Sequence, residues 1–141
     1  MNKVSIIYWS GTGNTESMAN FIAEGAKSEG AEVEVKAVSN AAASDIDSAD
    51  VIALGCPSMG DEVLEESEME PFIESIETAV KGKKIALFGS YGWGDGKWMR
   101  DWEERMTGYG AIVINEGLIA NYTPDSDKEQ ECLDLGKELA K

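Results

Sequence analysis

Six consecutive residues, Ser10-Gly11-Thr12-Gly13-Asn14-Thr15, combine two glycines with four side chains able to donate hydrogen bonds. They follow the nearly continuous apolar run Val4 to Trp9 and precede an amphipathic stretch from Met18 to Ala26. A strand, a tight turn and a helix start in that order make an anion site. The first N–H groups of a helix have no intrahelical partner, and the helix dipole favours negative charge there. Gly11 and Gly13 permit the sharp reversal. No lysine or arginine lies between Val4 and Ala26, so the donors are all neutral.

That absence sorts the nucleotide motifs. A triphosphate loop needs a lysine followed by serine or threonine, and none is present. A dinucleotide fingerprint needs a third glycine, and Glu16 stands in its place, where it would obstruct and repel a pyrophosphate. What remains is one terminal phosphate held by neutral donors. A glycine-rich turn with no ligand is the plain alternative.

Two further loops carry unusual residues. Cys56-Pro57-Ser58-Met59-Gly60-Asp61-Glu62 sets a polarisable thioether beside a permissive glycine and two acids. Ser90-Tyr91-Gly92-Trp93-Gly94-Asp95-Gly96 holds a large ring between glycines, a setting suited to stacking on something flat. An ordinary turn is the alternative for the first, and a ring pinned on the surface against Trp98 or Met99 for the second. Trp9, Trp98 and Trp102 read as packing residues. A planar ring between Met59 and Trp93, with its phosphate at Ser10 to Thr15, describes flavin mononucleotide (FMN).

The elements that must position these loops alternate. Strands are predicted at Lys3–Trp9, Glu32–Val38 (an edge, with charges alternating), Val51–Gly55, Lys84–Ser90 and Ala111–Ala120, the last interrupted near Gly117. Helices are predicted at 14–28, 45–49, 69–80, 98–107 and 125–140. Five strands alternating with helices imply a parallel sheet covered on both faces, with ligands beyond the carboxyl ends of the strands. The three loops therefore converge.

Composition narrows the class. The 141 residues suit one domain, 1–141, with a sizeable core. The net charge of −15 makes nucleic acid or an anionic membrane a poor partner and a basic protein surface a good one. Without histidine, His-based triads are excluded. The two distant cysteines, Cys56 and Cys132, read as reduced structural thiols, and no metal site is expected. No apolar run spans a membrane and no leader opens the chain, so a cytoplasmic protein is expected.

At this point the sequence resembles the flavodoxins, specifically the short-chain type of anaerobic bacteria. The resemblance covers essentially the whole chain. It rests on Ile7-Tyr8-Trp9-Ser10-Gly11-Thr12-Gly13-Asn14-Thr15, on Met59-Gly60-Asp61-Glu62 and on Ser90-Tyr91-Gly92-Trp93-Gly94, with an uninserted 111–121 region marking the short type. It implies an α/β three-layer sandwich with strand order 2-1-3-4-5 and FMN at the switch point between the first and third strands, an order that belongs to that family and not to the pattern of this sequence.

The resemblance also implies residue roles. Ser10 to Thr15 hold the phosphate. Met59 and Trp93 flank the isoalloxazine, Trp93 on the outer side. Glu62 accepts from the flavin N3–H, while Asp61, Gly92 and Trp93 offer backbone groups and Ser90 and Tyr91 line the site. Pro57 replaces a phosphate-binding serine of some relatives, with Ser58 as the substitute to be tested. Asn121 and Tyr122 lie where relatives contact the ribityl chain or ring edge.

The implied function is a low-potential one-electron carrier with non-covalently bound FMN, shuttling between semiquinone and hydroquinone, without substrate turnover of its own. Basic-surfaced redox proteins are the expected partners of a monomer. The peptide at Gly60 is expected to rotate its carbonyl toward the flavin N5. Asp61, Glu62, Glu65, Glu66, Glu68 and Glu70, with Asp95 across the site, would oppose an anionic reduced flavin. One carboxylate ~12 Å away at an effective dielectric of ~20 costs about 1.4 kcal/mol, or about 60 mV for one electron. Two rival readings share the topology or the cofactor. A flavin enzyme using NAD(P)H or a quinone would need a substrate loop for which there is no spare length. A phosphoacceptor receiver would need acids where Trp9-Ser10 stand.

Overall fold

The computed structural model describes residues 2–60, 62–92 and 94–141. β1 (Lys3–Tyr8), β2 (Glu32–Ala37), β3 (Val51–Gly55) and β4 (Lys84–Tyr91) form a parallel sheet with β5 (Ile112–Val113), in the order β2-β1-β3-β4-β5. A sixth segment, β6 (Leu118–Asn121), continues the fifth position and pairs with the end of β4. The expected topology is therefore present, with the last strand split. Asn115 adopts φ 59°. A Cβ on Gly117 would lie 2.3 Å from Met99 Sδ. The chain leaves the sheet here and returns at Leu118, level with Phe88.

The apolar strands bury both faces by simple alternation. Val4, Ile6, Val51, Ala53, Ala86 and Phe88 pack beneath α1 (Asn14–Ser28) and α5 (Ser126–Leu139). Ile7, Ile52, Leu54, Ile85 and Leu87 face the other side, with α3 (Met69–Ser75) and α4 (Lys97–Gly108) over them. Trp98 and Trp102, each 1% exposed, fill that second layer, as expected of packing residues. Small residues set the first layer's spacing. A Cβ on Gly25 would lie 2.0 Å from Leu133 O, and one on Gly136 2.0 Å from Ile22 O, so α1 and α5 touch backbone to backbone.

Two helices differ from their predicted extents by more than one residue at an end. α2 covers Ala43–Asp47, with Asp45 Oδ2 accepting from Ala42 N–H. α3 ends at Ser75, not Val80, and the chain continues in turns. Ile76, Thr78 and Val80 are β-branched and helix-averse. Ile76 and Val80 stay buried all the same, so the turns deliver them to the core the helix was expected to reach. The strand ends shift by single residues. Val38 leaves β2 for a 3₁₀ turn, and Trp9 lies just past β1, though its N–H still donates to Gly55 O at 3.0 Å.

Candidate functional site

The loops beyond the carboxyl ends of β1, β3, β4 and β6 are tied to one another. Ser58 N–H donates to Ser90 O at 3.0 Å, and Tyr122 N–H to Tyr91 O at 2.7 Å. Thr15 Oγ1 lies 3.0 Å from Ser90 Oγ. Thr123 Oγ1 donates to Asn14 Oδ1 at 3.1 Å. Lys97 N–H donates to Glu62 Oε1 at 3.0 Å. The sequence-predicted convergence of 10–15, 56–62 and 90–98 is thus a hydrogen-bonded assembly.

The 10–15 loop is organised around one oxygen. Ser10 Oγ accepts from Gly13 N–H at 3.1 Å and from Glu16 N–H at 3.3 Å. With both lone pairs filled, the Ser10 hydroxyl hydrogen is left to donate. Gly13 stands at φ 97°, which glycine adopts without strain. The N–H groups of Gly11, Thr12, Asn14 and Thr15 have no partner among the described residues. Asn14 spends its carbonyl oxygen on Thr123, so its amide N–H₂ is the free end. Gly11, Thr12 and Gly13 are exposed and Thr15 is buried. Glu16 turns away, its carboxylate accepting from Tyr8 OH at 2.6 Å. That hydrogen bond, with burial and the carboxylate's charge, pushes Tyr8 up to about 12. The result is a shell of unspent donors without a cation, a donor set able to hold a phosphate.

The loop after β3 is closed by paired hydrogen bonds between Met59 and Val63, at 2.9 and 3.0 Å. Gly60 has φ 47° and Glu62 φ 58°. Pro57, Ser58 and Met59 are partly buried, and Ser58 has spent its N–H but not its hydroxyl. Below the loop lies Glu65, 6% exposed. Its carboxylate accepts from Ser67 Oγ at 2.6 Å, Ser67 N–H at 2.8 Å, Glu68 N–H at 2.7 Å and Met69 N–H at 3.0 Å. Burial opposes its charge, yet these donors outweigh burial and hold the carboxyl down at about 2. Glu65 N–H also donates to Cys56 Sγ at 3.4 Å, while burial pushes the Cys56 thiol up to about 12.

The loop after β4 rests on Trp98. Its Nε1 donates to Cys56 O at 3.0 Å, and its ring stands 5.6 Å from Tyr91 at 46°. Gly92 lies under Tyr122, where a Cβ would be 3.0 Å from the ring. Gly94, at φ 86°, abuts the Glu62 carboxylate. Asp95 is engaged by Arg100, at 3.1 Å. Asn121 is exposed at the end of β6, in register with Tyr91. Asp61 and Trp93, expected at the ring edge and the outer ring face, lie outside the described residues.

The acidic segment is less free than its composition suggests. Glu65 is buried as described. Glu70 meets Arg105 in a two-pronged pair at 2.8 and 2.6 Å, and that hydrogen bond lowers its pKa. Glu68 accepts from Trp9 Nε1 at 3.2 Å. Sequence reasoning missed Thr123 and the capping role of Glu65. For Thr123 no local signal exists. For Glu65, a carboxylate ahead of Ser67 and the helix start at Met69 was a readable capping sign.

The flavodoxin family model matches residues 6–136. A flavodoxin of Clostridium beijerinckii is 56% identical over 97% of this chain and 99% of its own length. One from Megasphaera elsdenii is 49% identical, covering 98% of both. The solution structure of two-electron reduced Megasphaera elsdenii flavodoxin superposes with a TM-score of 0.90 at 50% identity, over 97% of this chain and 98% of that one.

Proposed function

The chain belongs to the flavodoxin family, and from that membership we propose that residues 1–141 form a single FMN domain whose phosphate sits in the 10–15 loop. Family members bind FMN non-covalently and carry single electrons at low potential, without turning over a substrate of their own. FMN supplies the redox chemistry when bound; the protein binds it and tunes it.

The carrying observation is the shell of unspent donors around Ser10. The donors are the open N–H groups of Gly11, Thr12, Asn14 and Thr15, the Ser10 hydroxyl hydrogen and the Asn14 amide. Thr12 adds an exposed hydroxyl. Pro57 contributes no donor, and the uncommitted Ser58 hydroxyl is the candidate to replace it. Met59, Gly60 and Glu62 after β3, with Tyr91, Gly92 and Asn121 at the ends of β4 and β6, would hold the ring; Asp61 and Trp93, outside the described residues, are the further candidates. Ser90 and Asp95 stand at the margin of this set, each already engaged by protein. Glu62 places its carboxylate at the 94–97 turn, where Oε1 accepts from Lys97 N–H and joins the two ring loops; its other oxygen would be the acceptor for the flavin N3–H.

The residues around the ring also set its potential. The partly buried Glu62 and the exposed Glu66 disfavour added negative charge, and packing that excludes water does the same. Glu70 contributes less than its position suggests, because Arg105 neutralises it. The remaining acids give a docking face for basic-surfaced redox proteins, at rates that fall with salt. The protein acts as a cytoplasmic monomer. No helix among the described residues is long and apolar enough to cross a membrane.

The test is spectroscopic. Purified protein is expected to be yellow and to release FMN on denaturation. The stripped chain should bind FMN at least tenfold more tightly than riboflavin, and NADPH should not be consumed without an added reductase. Equal affinity for the two flavins would remove the phosphate site, and unaided NADPH oxidation would point to the enzyme reading.

A further inference from the structure

Thr15, in the first turn of α1, and Ser90, near the end of β4, meet under the phosphate loop. They are 1% and 5% exposed. Their hydroxyl oxygens are 3.0 Å apart, and Ser90 N–H donates to Thr15 Oγ1 at 3.3 Å. A hydroxyl has one hydrogen and two lone pairs. The Ser90 N–H fills one lone pair of Thr15. The hydroxyl–hydroxyl bond then has two possible directions. If Ser90 donates, both lone pairs of Thr15 are filled and the Thr15 hydrogen is left open. If Thr15 donates, the open hydrogen is on Ser90.

Neither hydroxyl has another partner among the described residues. A buried O–H without an acceptor is costly, so whichever hydrogen is open should be the one that can reach an acceptor. The surroundings favour Thr15. Its own N–H is open in the same loop, beside the open N–H of Asn14. The Ser90 carbonyl is already taken by Ser58 N–H, which fixes the end of β4.

We propose that Ser90 is a positioning residue, whose hydroxyl and N–H together make Thr15 an obligate donor toward an anion held in the 10–15 loop. Ser90 itself touches no ligand. This rests on the phosphate-site reading above. It also joins two loops that the chain separates by 75 residues. The phosphate loop is oriented from β4, the strand that launches the 90–96 loop.

The experiment compares FMN and riboflavin binding to the stripped chain, by fluorescence titration, in Ser90→Ala, Thr15→Val and the double variant. Ser90→Ala is expected to weaken FMN binding ~tenfold, the weight of one hydrogen bond to a charged group, while riboflavin changes less than about twofold. Thr15→Val should reduce the FMN preference at least as much, and adding Ser90→Ala to it should reduce it no further. Equal weakening of both flavins by Ser90→Ala would mean a structural role only and overturn the proposal. So would an unchanged preference, or fully additive losses in the double variant. If the alanine chain does not fold, Ser90→Cys, close in size but a weak donor, is read by the same ratio and decides. A wild-type chain with no preference for FMN would fail the phosphate site itself; a retained wild-type preference that Ser90→Ala leaves intact would fail only this assignment.

Discussion

The segment leaving β1 keeps its donors free, whereas the segment leaving β3 spends most of its own. Around Ser10, one hydroxyl oxygen gathers two N–H groups and at least four more stay open. Around Glu65, one carboxylate gathers four donors, and the 59–63 turn closes on itself. Open donors on a short, glycine-pinned turn are available to the phosphate proposed above. Spent donors give a rigid platform. A site that grips a phosphate and holds a ring edge at fixed height needs one of each.

Breaking the platform should have the largest effect. Glu65→Ala leaves four donors unmatched beside the core and is expected to cost about 3 kcal/mol, or ~10 °C in Tm. The linkage has a definite sign. The Glu65 carboxyl is held down at about 2 when folded, so its contribution is present above the unfolded pKa of about 4.5. It is lost as pH falls from there toward 2. Denaturant titrations of wild type and Glu65→Gln should therefore diverge at neutral pH and converge near pH 2. A constant gap would mean the charge is not what holds the segment.

Breaking the open turn should cost less stability and more binding. Ser10→Ala removes the oxygen that gathers the loop, at about 1 kcal/mol of stability, and is expected to reduce FMN affinity ~tenfold. A drop in riboflavin affinity of the same size would erase the contrast between the two segments.

The subtlest change is at Gly60. At φ 47°, with open space where a Cβ would go, alanine meets only backbone strain. Gly60→Ala is expected to cost about 1 kcal/mol and to lower the first one-electron midpoint potential by ~40 mV if the peptide must rotate on reduction. An unchanged potential would show that the turn does not move.

Much of this was readable beforehand, for reasons that residues make plain. Val4, Ile6, Ile7, Ile52 and Leu54 declare a strand buried on both faces, and the Ser10–Thr15 run declares an anion turn, because both depend on neighbours in the chain. What distance in sequence brings together was not legible. Thr123 reaches Asn14 across 109 residues, and Arg105 reaches Glu70 across 35. Composition therefore overstated the free charge of the 61–70 segment, since a sequence shows a carboxylate but not its partner. The early end of α3 had a local sign in Ile76, Thr78 and Val80, outweighed in the sequence reading by the apolar spacing of the segment.

The backbone contact between α1 and α5 extends the site well beyond its loops. Ile22, which Gly136 touches through its carbonyl, lies eight residues past Asn14, or ~12 Å along α1. α1 is in effect a lever, with the phosphate loop at one end and the glycine contact as its bearing. A single methyl at Gly136 would push the bearing outward and tilt the lever. Cofactor affinity would then answer to a position that no ligand approaches.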